Sequence, residues 1–290
     1  MSVIKARIDT DSISPSGDRL VTWVLTYPRY VHADLMTHRV FSRNGASSRA
    51  IPMKQTLKAV MRDPVIPITW GGNGKGMQAT GELTGIRRAI ARFVWLAARW
   101  PALISVWLLM KIGLHKQWSN RILEPWIWMT VVLTATEHDN FLDLRDTKFA
   151  QPDIAELARQ MRRELSVSVP NRLESGEWHI PLLSEGERAA LMATYSVTRR
   201  VDDKSSRDEF VEHYLCVGTA RAARVSYIRH ETLRSYEEDK EMHDRLRDSK
   251  HWSPFEHCAM ALTESKWVGN FRGWSQYRKK FDGESGSRRV

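Results

Sequence analysis

Cysteine is nearly absent: Cys216 and Cys258 are the two cysteines among 290 residues. They form neither a paired metal-binding spacing nor a disulfide framework, so a zinc module and a stapled secreted scaffold are not expected. A reducing cytoplasm is the expected setting, and the first residues show no apolar core of signal-peptide type. Acidic residues are also in short supply, with 34 Asp and Glu against 44 Lys and Arg and a net charge of +10. That balance favours anionic partners without choosing among nucleotides, phosphorylated cofactors and nucleic acid. An uninterrupted membrane-length run is missing too. The apolar stretch from Glu82 to Gly113 is broken by Arg92, Arg99 and Pro101. No membrane partner is therefore expected; the stretch reads as two helices, or one kinked at Pro101, packed into a core or a subunit interface. The glycine-rich Trp70–Gly76 does not fit the Walker spacing and reads as a flexible loop. No helix-turn-helix, zinc finger or aromatic RNA-binding signature is present, so nucleic acid is not the expected partner.

What the chain does have is a dense polar stretch, Thr37 to Ala50, with one His, three Arg, three Ser and one Asn. Such a run is expected in a turn rather than a core strand, because short polar side chains compete for backbone partners. Backbone N–H groups beside guanidinium forks suit phosphate oxygens. Before it, Arg19 to Val31 reads as a strand ended or kinked by Pro28, and His32 to Met36 as a short helix. After it, the apolar set around Trp126, Trp128, Val131, Val132 and Ala135 reads as a helix. Glu137, His138, Asp139 and Asn140 follow without a second histidine at ligand spacing, and no metal is expected. Gln151 to Leu165 reads as an amphipathic helix with Pro152 in its first turn. Further helices are expected at Glu187–Tyr195, Asp208–Arg224 and around Leu233–Leu246, and a strand at Ala259–Trp267. Ser166 to Glu187 is loop-rich, and the tail after Lys280 is polar.

The central stretch resembles the signature of flavin-dependent thymidylate synthases, Arg-His-Arg-x-x-Ser-x-Asn-x-x-Ser-x-Arg. The matching residues are His38, Arg39, Ser42, Asn44, Ser47 and Arg49. Val21 to Arg39 matches the approach to that motif without a gap. Asn140 to Arg145 with Ala150-Gln151, Ala223 to Tyr227, and Ser253 to His257 resemble three more family segments. The last two normally precede the signature and here follow it, so the chain resembles a permuted relative. Thr37 stands where the family has Arg, and Gly45 where it has Glu.

The resemblance implies an α+β fold with a central twisted, mainly antiparallel sheet packed with helices. Residues 1–165 would form the signature-bearing portion, 166–207 a loop-rich connection, and 208–290 a permuted portion completing the same domain. It implies reductive methylation of dUMP to dTMP, with methylenetetrahydrofolate as carbon donor, FAD as hydride donor and NADPH as reductant. It also implies a homo-oligomer, a tetramer with shared sites, for which Ile90 to Ile112 is a candidate interface.

By residue, the resemblance implies that Arg145 holds the uracil as an activated, anion-like ring. His38, Arg39, Asn140, Ser226 and His257 fall on flavin-side positions. Thr37, Ser47, Ser48, Arg49, Arg121 and Arg145 fall on the nucleotide side, with Arg43 or Arg121 available to compensate for Thr37. Each has a structural alternative: a helix-end ion pair for Arg145, a turn cap for Ser47 and a surface charge for Arg49. Helix capping is the alternative for Asn140, a turn hydroxyl for Ser226, and a hydrogen-bonded core for His38 and His257. Cys258 reads as a small buried residue rather than a nucleophile. The alternative functions are a flavin and folate enzyme of another pyrimidine (dCMP, or hydroxymethylation) and a basic nucleic-acid-binding protein.

Overall fold

The structure, a computed structural model, describes residues 2–198, 204–228 and 230–284. Residues 199–203 of the expected 166–207 connection and the last six residues of the polar tail lie outside the described residues. In chain order the elements are β1 (Lys5–Ile13), β2 (Arg19–Pro28), α1 (His32–Met36), β3 (Ser42–Gly45), α2 (Met53–Arg62), α3 (Gly85–Lys111) and α4 (Lys116–Ser119). There follow β4 (Trp128–Ala135), α5 (Asp139–Arg145), α6 (Pro152–Val167), β5 (Asn171–Arg172), β6 (Trp178–His179), α7 (Glu185–Thr198) and α8 (Lys204–Arg224). The chain closes with α9 (Tyr236–Asp248), β7 (Ala259–Ala261), β8 (Trp267–Val268), β9 (Phe271–Arg272) and β10 (Trp274–Gln276).

The fold is α+β. A five-stranded sheet runs β3-β4-β2-β1-β5, and a second sheet runs β10-β7-β6. All pairings are antiparallel except the short β1–β5 pair. β2 sits at the centre of the larger sheet, and Pro28 closes it because proline has no N–H to donate to the ladder. Alternation divides β2 between two faces. Val21, Trp23, Leu25 and Tyr27 join Val131 and Leu133 of β4 against Phe141 of α5 and Leu157 and Met161 of α6. On the other face, Val24 and Val132 pack with Leu182, Ala222 and Val225. Thr22 and Thr134 are fully buried on β2 and β4 and bond to each other at 2.7 Å. Each large apolar side chain buried here contributes roughly 1.5–3 kcal/mol.

Several expectations are corrected. Trp128–Ala135 is a strand, not a helix: Thr130, Val131, Val132 and Thr134 are β-branched, and the element pairs with β2 along its whole length and with β3 over Val131–Thr134. β-branched side chains fit a pleated central strand better than a helix. The polar stretch does contain a strand, β3, whose Ser42 and Asn44 are buried. Both polar side chains bond to side chains from the end of the chain. The 166–207 segment is more than loop, carrying β5, β6 and α7. The expected strand Ala259–Trp267 is split: Ala259–Ala261 forms β7, and Trp267 opens the separate short strand β8. β1 and α2 had no expectation in the sequence.

α3 runs unbroken through Pro101. It is long and apolar enough to cross a membrane by composition, yet little of it is buried. Leu103 and Val106 pack on Val60, Leu123 and Trp126. The opposite face exposes Ile86, Ile90, Phe93, Trp100, Ile104 and Trp107.

Candidate active site

The signature occupies the link from α1 through β3 to the turn before α2. β3 is the edge of the larger sheet, and the segment Ser253–His257 covers it. Ser42 Oγ donates to Glu256 Oε2 at 2.7 Å and accepts from Gln276 Nε2 at 3.1 Å. Asn44 Oδ1 lies 2.5 Å from Ser253 Oγ and 3.2 Å from His257 Nε2. The turn that follows is pinned from two sides: Ser47 N–H donates to the Ser226 carbonyl at 3.1 Å, and Asn120 Nδ2 donates to the Ser48 and Ile51 carbonyls at 2.8 and 2.9 Å. The segments Ala223–Tyr227 and Ser253–His257 thus both meet the Thr37–Ala50 stretch directly.

Beyond β3, Asn44, Ser47, Arg49, Lys116, Ser226 and Arg245 line a cavity of about 680 Å³, with Tyr227 and His251 on its wall. Among the described residues no Asp or Glu lines it. Arg49 and Arg245 make no ion pair with the described carboxylates, so their charge is directed at the cavity and at solvent. Serine hydroxyls, two guanidinium groups, an ammonium group and an aromatic ring form a donor set suited to a phosphorylated, ring-bearing ligand.

At the other end of β3, Thr37, His38, Arg39, Phe41, Asn140 and Trp267 line a cavity of about 480 Å³. His38 is buried against Phe41 and meets Phe141 edge-on, with ring centroids 4.9 Å apart. Burial, with the Arg145 and Arg43 charges beside it, lowers the His38 pKa. Its neutral Nε2 accepts from Arg145 Nε at 3.4 Å. Arg145 also donates to Thr37 Oγ1 at 3.1 Å and lies 3.5 Å from Asp34. Thr37 is therefore a partner of Arg145.

The expected residues fall into separate groups. Ser47, Arg49 and Ser226 share the larger cavity. Thr37, His38, Arg39 and Asn140 share the smaller one, with Arg145 behind Thr37 and His38. Ser48 faces a third cavity of about 320 Å³. His257 lies behind Asn44, fully buried, and burial takes its pKa down to about 3. Arg121 pairs with Glu124 at 3.7 Å and lines none of these cavities. Arg43 donates to the Leu35 and His38 carbonyls at 3.3 and 2.8 Å, holding the end of α1. At Gly45 a Cβ would come within 2.6 Å of Met129 Cε, so the methionine fills the space that a longer side chain would need. Cys258 is fully buried and its thiol is pushed up to about 12, which makes it a poor nucleophile.

Asn44, Lys116 and Arg245 lacked an assigned role in the sequence. Asn44 carried a signal, its place in the signature; Arg245 and Lys116 carried none, being ordinary charges on helices. Away from this region Glu212, Cys216 and His243 have ligand-type atoms within 4.8 Å of one another. The Tyr277 hydroxyl occupies their midst, bonded to Glu212 at 2.5 Å and to His243 at 3.2 Å.

No protein-family model matches the chain, and no curated protein matches it. Solved structures do resemble it. The UMP/dUMP methylase PolB from Streptomyces cacaoi, bound with 5-Br dUMP, gives a TM-score of 0.45 at 14% identity, over 57% of this chain and 91% of that chain. The same methylase bound with 5-Br UMP gives 0.45 at 16% identity, over 57% and 90%. The flavin-dependent thymidylate synthase ThyX from Helicobacter pylori, complexed with FAD and dUMP, gives 0.37 at 14% identity, over 50% and 67%.

Proposed function

We propose that this protein is a flavin-dependent methyltransferase of uracil nucleotides, converting dUMP to dTMP with methylenetetrahydrofolate as carbon donor and FAD, reduced by NADPH, as hydride donor. One observation carries the reading. The turn with Ser47 and Arg49 opens on a cavity that no Asp or Glu lines among the described residues, and whose other walls include Ala223, Ser226 and Tyr227 of one segment expected to complete the site, with Lys116 of α4 and Arg245 of α9.

The residues present fit these groups. In the larger cavity Ser47, Arg49 and Arg245 would hold a phosphate, and Tyr227 offers a stacking face. In the smaller cavity His38 and Arg39 would hold the flavin, with Asn140 at its mouth. A flavin bound there would supply the hydride. Arg145, fixed by Thr37, Asp34 and His38, supplies the positive charge that stabilises negative charge developing on the ring. His38, being neutral, adds no second cation beside it. The two groups lie at opposite ends of one short strand, which supports a site shared between copies of the chain in a homo-oligomer such as a tetramer. The exposed face of α3 is the candidate interface. A cytoplasmic setting accords with two reduced cysteines.

A second reading keeps flavin and folate but changes the pyrimidine or the product, as with dCMP or hydroxymethylation. Gly45 favours it, since Met129 takes the place of a substrate-side carboxylate. The test is the absorbance of purified protein with added FAD, followed by dUMP titration. A bound-flavin spectrum that shifts with dUMP is expected; protein that binds neither contradicts both readings.

A further inference from the structure

The face of the sheet away from α6 hides a continuous chain of hydrogen bonds ending at the larger cavity. Ser12 Oγ lies 2.9 Å from His179 Nδ1, and His179 Nε2 lies 2.8 Å from Thr22 Oγ1. Thr22 Oγ1 is 2.7 Å from Thr134 Oγ1, which is 2.8 Å from His257 Nδ1. His257 Nε2 is 3.2 Å from Asn44 Oδ1. All six residues are buried.

Each group between the ends has one proton to give, provided both imidazoles are neutral. Burial keeps them so, taking His179 and His257 down to about 3. The chain then has two possible directions, and its end decides between them. Ser253 Oγ lies 2.5 Å from the Asn44 side-chain atom that also faces His257. That separation belongs to O–H···O bonds, at about 2.5–3.0 Å, and falls short of the N–H···O range of about 2.7–3.2 Å. The atom is the carbonyl oxygen, and it accepts from both Ser253 and His257 Nε2–H. The rest follows in sequence: Thr134 donates to His257, Thr22 to Thr134, His179 to Thr22 and Ser12 to His179. Both histidines are Nε2–H tautomers. Asn44 Oδ1 is used twice inward, while its Nδ2 donates to none of the described residues and Asn44 lines the 680 Å³ cavity.

We propose that Asn44 is a specificity-determining contact whose amide Nδ2–H is held toward the cavity as a fixed donor, selecting a ring carbonyl over a ring amino group. His257, Thr134, Thr22 and His179 are its positioning residues. The amide cannot turn to accept without reversing every bond behind it and setting a nitrogen against Ser253. A uracil carbonyl and an isoalloxazine carbonyl share this chemistry; the identity of the ring rests on the functional reading above.

The test compares dUMP, dCMP and FAD binding by titration calorimetry in the wild type, Asn44→Asp, His257→Gln and His257→Leu. A carboxylate at 44 still accepts from Ser253 and His257 but removes the donor. A site built to hydrogen-bond one group discriminates strongly against its loss. The wild type is expected to prefer dUMP over dCMP, and Asn44→Asp to shrink that preference at least about tenfold. Weakened FAD binding instead would assign the carbonyl to the flavin and support the proposal equally. His257→Gln, which can donate to Asn44 and accept from Thr134, should retain the preference that His257→Leu erodes. Should Asn44→Asp not fold, the two His257 variants decide alone, equal preferences overturning the proposal. A folded Asn44→Asp with unchanged dUMP and FAD affinities overturns it while leaving the functional reading intact. A wild type that binds neither ligand overturns both.

Discussion

Arg49 and Arg245 reach one cavity from distant parts of the chain, one from the signature turn and one from α9. Neither charge is spent on a described carboxylate, so both are available to an anion. A charge-assisted hydrogen bond contributes about 1.5–3 kcal/mol. Arg49→Ala and Arg245→Ala should each weaken dUMP binding about tenfold or more, read by titration, and Arg245→Lys should restore part of the loss. An unchanged affinity in both alanine variants would remove the phosphate from this cavity. At the same scale, the histidines make the fold acid-sensitive. Burial lowers His138 to about 4 and His179 and His257 to about 3, below the unfolded value of 6.5. The unfolded chain therefore binds more protons below pH 6.5, and stability drains away as pH falls through that value toward the folded pKa values. The loss is about 1.4 kcal/mol per pH unit for each such histidine. Urea unfolding at pH 7 and pH 5 should give a markedly lower midpoint at pH 5, with a smaller difference in His257→Gln. The signature residues were legible in the sequence as a set. Their division into two cavities was not, because it depends on which residues of β3 face the sheet and which residues lie beyond its ends.

The elements differ in how openly the sequence announced them. β2 and α6 carried their own limits, Pro28 at one strand end and Gln151-Pro152 at one helix start, where the Gln151 side chain accepts from two backbone N–H groups. β4 did not. Its short apolar run has no period of its own, because a central strand is buried on both faces, and such a run resembles a buried helix. Its partners β2 and β3 decide the matter. Thr134→Val keeps the strand but cuts the hydrogen-bond chain between Thr22 and His257, and should cost about 1–3 kcal/mol in urea unfolding. A cost indistinguishable from that of an exposed Thr→Val change would mean the chain is not formed. α3 is the converse case, an apolar helix announced clearly but left with one apolar face uncovered. Ile90→Glu combined with Ile104→Glu should leave the isolated protein folded and shift its mass in sedimentation equilibrium to that of the single chain. An unchanged mass would contradict the proposal that α3 forms the interface between copies.

Over the whole molecule, the C-terminal strands return to close the beginning of the chain. Trp274 Nε1 donates to the Asp18 carbonyl at 3.0 Å, and Arg272 Nε lies 2.9 Å from Asp18 Oδ1. Gly273 adopts φ +73 there, and a Cβ would collide with Asp18, so only glycine suits that close approach. Ser253, Glu256 and His257 then cover β3 from the far end of the chain. The order of the matched segments was legible in the sequence as a resemblance alone. The contacts that make the order workable were not, because they join residues more than two hundred positions apart. The central claim is that this assembly methylates a uracil nucleotide. Its most direct test is the product mass after anaerobic incubation of the FAD-loaded protein with NADPH, methylenetetrahydrofolate and dUMP. The expected result is a nucleotide heavier by one methylene unit, with the added carbon on the base. Unchanged dUMP, with the same protein shown to bind both flavin and nucleotide, would contradict it.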